Sequence, residues 1–185
     1  MKKSSFLFTF FLSSISFAQG NGLVIFGDII FGEPISIREC TTPNYSSQVK
    51  PSNQSCFKKN SLGGIYEFSG TSETPRYIKP GYDVSIEYLD GVVADVTIIT
   101  GGVSVQNLAL VSLTEKFGKP TTIKKTLVKT NTGGTFEAID ATWLRHSVLV
   151  SFNSPAGDVM TGIISISTHE FLANKKKNAM PKKAL

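Results

Sequence analysis

The chain is short of the residues that do covalent and metal chemistry. Two histidines, two cysteines and one tryptophan stand in 185 residues. Nucleophilic catalysis needs a base within reach of a Ser or Cys. Neither His146 nor His169 serves a Gly-x-Ser-x-Gly elbow, and both fall in or just after strand-like sequence; they read as surface or strand-end side chains. Glycine pairs occur at Gly63-Gly64, Gly101-Gly102 and Gly133-Gly134. None makes a P-loop or a Gly-x-Gly-x-x-Gly turn after a strand, so phosphate cradling has no motif to rest on. Cys40 and Cys56 are not a Cys-x-x-Cys pair, and the two distant histidines complete no zinc set. No catalytic residue, metal or cofactor is expected, and the chain is expected not to be an enzyme. Long apolar runs are also missing beyond the N-terminus, so no transmembrane anchor is expected.

The N-terminus itself is informative. Met1-Lys2-Lys3 is followed by an apolar stretch from Phe6 to Phe17, interrupted only by Ser and Thr, and then by Ala18-Gln19. That order of charge, apolar run and small residues (Ser16, Ala18) is the pattern of a secretion signal. A membrane anchor needs a longer apolar span, and a buried first strand fits poorly with twin lysines. The expectation is a signal over 1–18, cleaved near Ala18-Gln19, and a periplasmic or secreted mature chain. In an oxidising compartment, an even pair of cysteines predicts a Cys40–Cys56 disulfide. It would close over 41–55, a polar loop with little apolar surface of its own, and contribute about 3 kcal/mol by restricting the unfolded chain.

Charge misleads when summed. The formal +5 includes Lys2 and Lys3 in the signal and five lysines (Lys175, Lys176, Lys177, Lys182, Lys183) near the C-terminus. The body, 19–174, carries twelve basic and fourteen acidic residues. A nucleic-acid-binding body would spread basic residues across a face, so no nucleic acid is expected as a partner. The 175–185 segment reads as a solvated basic tail, with weak contact to an anionic envelope surface as its functional alternative.

Most of the mature chain reads as β. In 83–100, Val84, Ile86 and Tyr88 alternate with polar residues, Asp90-Gly91 marks a turn, and Val92, Ala94, Val96 and Ile98 continue. A two-residue turn would mix the faces, so a three-residue loop, Leu89-Asp90-Gly91, is predicted, pairing Tyr88 with Val92 and Ile86 with Ala94. Asp83, Glu87 and Asp95 then share a solvated face. They are the clustered acids that a metal site or a cell-wall hydrolase would draw on. Residues 104–118 predict a helix capped by Ser104, with Leu110, Leu113 and Phe117 as its apolar stripe and Gly118 and Pro120 as its stop. Beyond it, 121–130 reads as a lysine-rich edge strand; 136–152 and 162–168 read as further strands.

Phe31-Gly32-Glu33-Pro34 echoes Phe117-Gly118-Lys119-Pro120. The expected architecture is α+β: an antiparallel sheet with one clear helix packed on it, in a single domain over 19–174. Two tandem units, 23–102 and 103–170, would build it.

The run Leu110-Val111-Ser112-Leu113-Thr114-Glu115-Lys116-Phe117-Gly118-Lys119-Pro120, followed by strands around Trp143 and Ile164, resembles one unit of the β-lactamase-inhibitor-protein and SmpA/OmlA-like group. There a helix ending in Leu-Gly-x-Pro leads into an antiparallel sheet. Phe117 stands where that group usually has Leu. The resemblance spans 104–168 and implies an exported scaffold whose sheet face binds another protein; it brings no catalytic residue.

Aromatic residues crowd 45–82. Tyr45, Phe57, Tyr66, Tyr77 and Tyr82 stand there with Arg76 and Lys79 in otherwise loop-like sequence. Tyr and Arg anchor protein interfaces, and the same rings could instead cover the core beneath an irregular segment. The expected function is an exported binding module for another exported protein, of inhibitor or immunity type. The rivals are an envelope structural factor touching outer membrane or peptidoglycan, and the hydrolase of the acidic face.

Overall fold

The computed structural model describes residues 29–36, 39, 56–59, 63–67, 75–79, 84–129 and 133–179. Among these residues, eight antiparallel strands make one sheet: β1 (Cys56–Lys59), β2 (Gly63–Glu67), β3 (Val84–Leu89), β4 (Val92–Thr100), β5 (Thr122–Lys129), β6 (Thr135–Leu144), β7 (Val148–Ser154) and β8 (Gly162–Thr168). Helix α1 spans Gln106–Phe117 and α2 spans His169–Ala179. This is the α+β class that the alternation pattern predicts.

The strand order is β1-β2-β3-β4-β8-β7-β6-β5. Two four-stranded meanders, β1 to β4 and β5 to β8, therefore meet at the centre through their last strands. β1 and β5 become the two edges. At the seam Val96 pairs with Ile166 and Ile98 with Ile164. One face of the sheet carries an apolar band across five strands: Val84 and Ile86, Val96 and Ile98, Ile164 and Ile166, Val150 and Phe152, Ala141 and Trp143, all buried. Alternation supplies this, because every second residue of each strand points the same way. Helix α1 covers that band with Ala109, Leu113 and Phe117, and Ile29, Phe31 and Ile78 join the same core.

The β3–β4 connection differs from the three-residue loop that face matching predicts. Leu89 pairs with Val92 and Tyr88 with Val93, leaving a two-residue Asp90-Gly91 turn. Both turn residues have positive φ, 52° and 83°, as the tight hairpin turn requires. The mixed faces are repaired inside the strand: the register steps between Glu87 and Tyr88, Glu87 pairs with Asp95, and Ala94 is the extra residue. A bulge does what the longer loop would have done. The 136–152 stretch also differs, since it is two strands, β6 and β7, turning at 145–147, where no glycine or proline signals a break.

Helix α1 begins two residues later than Ser104. Its N-cap is Val105, and the Ser104 Oγ donates instead to the Gly101 carbonyl at 2.9 Å within a 3-10 turn, Gly102–Ser104. Gly118 ends the helix at φ 74°. Arg145 donates from its guanidinium to the Phe117 and Lys119 carbonyls, and the Trp143 indole donates to the Gly118 carbonyl at 2.8 Å. A cation among the last carbonyls of a helix is favourable. These bonds fix where the chain leaves α1 and enters β5.

Candidate functional site

The face opposite the core carries a polar row flanked by apolar pairs, Ile99 with Ile163 and Leu144 with Leu149. Ser85 pairs with Thr97, Thr97 with Ser165, Ser165 with Ser151, Ser151 with Thr142, and Thr142 with Thr122. Six strands thus carry a continuous row of hydroxyls, spaced by the ~4.8 Å between neighbouring strands. Asn153, Asp140 and Lys124 form part of the next row.

Helix α2 lies over one end of this face. Thr168 Oγ1 accepts from the Phe171 amide at 3.1 Å, a side-chain cap on the first turn. Phe171 is buried; Lys175 lies 5.4 Å over its ring and 3.7 Å from Glu87 Oε1. Sequence reading places Lys175, Lys176 and Lys177 in a solvated tail, but the helix runs through all three.

Under α2 the expected solvated acid face is overturned. Asp95 is 5% exposed. It accepts a hydrogen bond from Ser167 Oγ and one from Thr97 Oγ1 at 3.3 Å. Glu87 is its half-buried cross-strand neighbour, and Asp83 lies outside the described residues. Alternation places Glu87 and Asp95 on the face opposite the core, but it does not reveal the second helix, α2, that covers that face. Burial pushes the Asp95 carboxyl above the ordinary carboxylate range. The Ser167 hydrogen bond opposes this, the Glu87 charge adds to it, and Lys175 and Thr97 oppose it. Among the described residues, no group of three or more His, Cys, Asp or Glu is placed to hold a metal ion. His169, two residues beyond Ser167, is exposed and its Nε2 faces the Arg145 carbonyl at 2.8 Å. His146 is exposed in the β6–β7 turn.

The aromatic candidates divide. Tyr45 and Tyr82 lie outside the described residues. Phe57 and Tyr66 stand opposite each other in the β1–β2 register. The segment at 75–79 runs beside the end of β4: Ile78 bridges Thr100, the Gly101 amide donates to the Tyr77 carbonyl at 3.1 Å, and Lys79 Nζ donates to Thr161 Oγ1 at 3.1 Å. Tyr77 packs against the core, where burial raises its phenol, while Arg76 is exposed. For Tyr77 the core-covering reading holds. Cys56 opens β1, is buried and is not a free thiol; Cys40 lies outside the described residues.

Among the described residues, the most open strand is β5. All eight of its residues are exposed, its partner on one side is β6, and it ends the sheet, as its lysine content predicts for an edge strand. Leu127 is 76%, Ile123 47% and Val128 37% exposed. Lys125 pairs with Glu137 at 2.8 Å on the surface. No described helix is long and apolar enough to cross a membrane. No family model, curated protein or solved structure matches the chain.

Proposed function

We propose that this chain is an exported binding module that engages another protein in the periplasm or outside the cell, in the manner of an inhibitor or immunity protein. The observation that carries this reading is the β5 margin. Eight exposed residues at the end of a sheet present three large apolar side chains to solvent. Single exposed apolar residues are ordinary, but Ile123 and Leu127 on one side of this open strand, with Val128 on the other, favour an interaction surface along its margin. The signal-like N-terminus (1–18, cut near Ala18-Gln19) supports the compartment. A Cys40–Cys56 disulfide belongs to the same proposal, supported by the even cysteine count and the buried, non-free Cys56. So does the likeness of 104–168 to the β-lactamase-inhibitor-protein and SmpA/OmlA-like group.

The envelope-factor reading draws less support. It relies on the C-terminal lysines, and Lys175 is engaged with Glu87 and Phe171 within the fold. The test of the leading reading is a pull-down from periplasmic extract with the mature chain as bait. A specific protein retained at stoichiometric yield is expected. Retention of glycan or small molecules alone, with no specific protein, would sink it.

A further inference from the structure

We infer that the edge of β5 left unpaired among the described residues is a strand-addition site for an extended, acidic segment of the partner protein, an inference that rests on the protein-binding reading above. The edge is suited to it by length: eight residues extend about 27 Å. Main-chain groups on an open edge offer hydrogen bonds to any extended peptide, and side chains decide which peptide is accepted. Here the side chains alternate in two ways. Ile123, Lys125, Leu127 and Lys129 project to the core side of the sheet, and Thr122, Lys124, Thr126 and Val128 to the polar side. Each face therefore offers apolar and cationic contacts to an added strand.

Charge selects the occupant. From Lys116 to Thr130 the chain carries Lys116, Lys119, Lys124, Lys125 and Lys129 and no acid. On neighbouring β6, Glu137 pairs with Lys125, and Asp140 sits opposite Lys124. The margin stays cationic, although the body as a whole is slightly acidic. A second copy would bring its own three β5 lysines within a strand spacing of these three, which like-charge repulsion opposes. Lysines alone would serve merely to keep edges apart, but protection gives no reason to expose Ile123, Leu127 and Val128 beside them. An acidic strand with interspersed apolar residues satisfies both sets.

The probe is an acetylated eight-residue peptide alternating Glu and Val, titrated into the full mature chain while backbone amide resonances are followed. Shifts confined to β5 and its β6 neighbours are expected. They should vanish when alternate peptide nitrogens are methylated, and binding should weaken about tenfold or more in the Lys124→Glu/Lys129→Glu double variant, whose two substituted positions are exposed. Equal binding of a Lys-Val peptide, shifts centred elsewhere, or none at millimolar peptide would overturn the inference. So would concentration-dependent self-association that protects β5 without peptide. If the pull-down partner is retained equally by the double variant, strand addition fails while protein binding stands. If no specific protein is retained by the unsubstituted bait, the underlying reading fails.

Discussion

Gly102 shows how a single backbone position can join two distant parts of the chain. Its φ is +65°, and a Cβ there would lie 2.3 Å from the Val159 carbonyl oxygen and 2.5 Å from the Thr161 nitrogen. Both neighbours are backbone, so neither can swing away. Gly102→Ala should destabilise the fold by about 2 kcal/mol or more, combining left-handed strain with a backbone clash. Gly133 is the control: its φ is +86° but nothing lies within 4 Å of its added Cβ, so Gly133→Ala should cost only about 1 kcal/mol. Chemical denaturation of the two variants compares them directly, and equal losses would show that the Gly102 contact is not tight in solution. From sequence, Gly101-Gly102 was recognisable as a pair without a phosphate motif, yet nothing in it announces the loop 57 positions downstream against which it packs.

At the scale of elements, periodicity was legible where one layer decides burial and illegible where two compete. The α1 stripe and its Gly-Pro stop could be read because one helix face meets one sheet face. The β5 edge could be read because lysines on both faces of a strand leave no other place for it. Phe31-Gly32 and Phe117-Gly118, an echo of four letters, prove physically alike: both phenylalanines are buried in one core and both glycines have positive φ. Helix α2 was missed because its lysines resemble a solvated tail, although Thr168 as a cap and Phe171 as an anchor were visible signals. With α2 came the burial of Asp95, and that has a measurable consequence. A carboxyl whose folded pKa is raised stabilises the fold most when protonated; this contribution is present below the unfolded value of 3.8 and is lost as pH rises through the folded pKa. Asp95→Asn removes the titration while keeping an acceptor for Ser167. The melting temperature of the variant relative to the unsubstituted protein should therefore climb as pH increases from about 4 toward neutrality. A constant difference across that range would mean that Asp95 titrates as an ordinary exposed acid.

For the whole molecule, the seam between β4 and β8 matters more than either meander alone. The same buried cluster runs from Val84 on β3 to Trp143 on β6, so the two halves share one core. Ile164, fully buried opposite Ile98, sits at its centre. Ile164→Ala should cost about 2–5 kcal/mol, and thermal unfolding should remain a single transition followed equally by far-ultraviolet and tryptophan signals. Two separated transitions would show that the meanders are independent. The antiparallel α+β class was legible from alternation, helix stripe and turn residues. The seam was not, because Asp95 and Ser167 meet across 72 positions and no local pattern encodes which strands will be central. The order of synthesis gives this seam a further meaning. β4 is complete long before β8 exists, and from Asp95 to Thr100 its second hydrogen-bonding edge is filled by β8 alone. A nascent chain stalled after α1 would hold this edge bare beside Val96, Ile98 and Ile99, so any factor that keeps this protein from aggregating before it is finished should recognise β4.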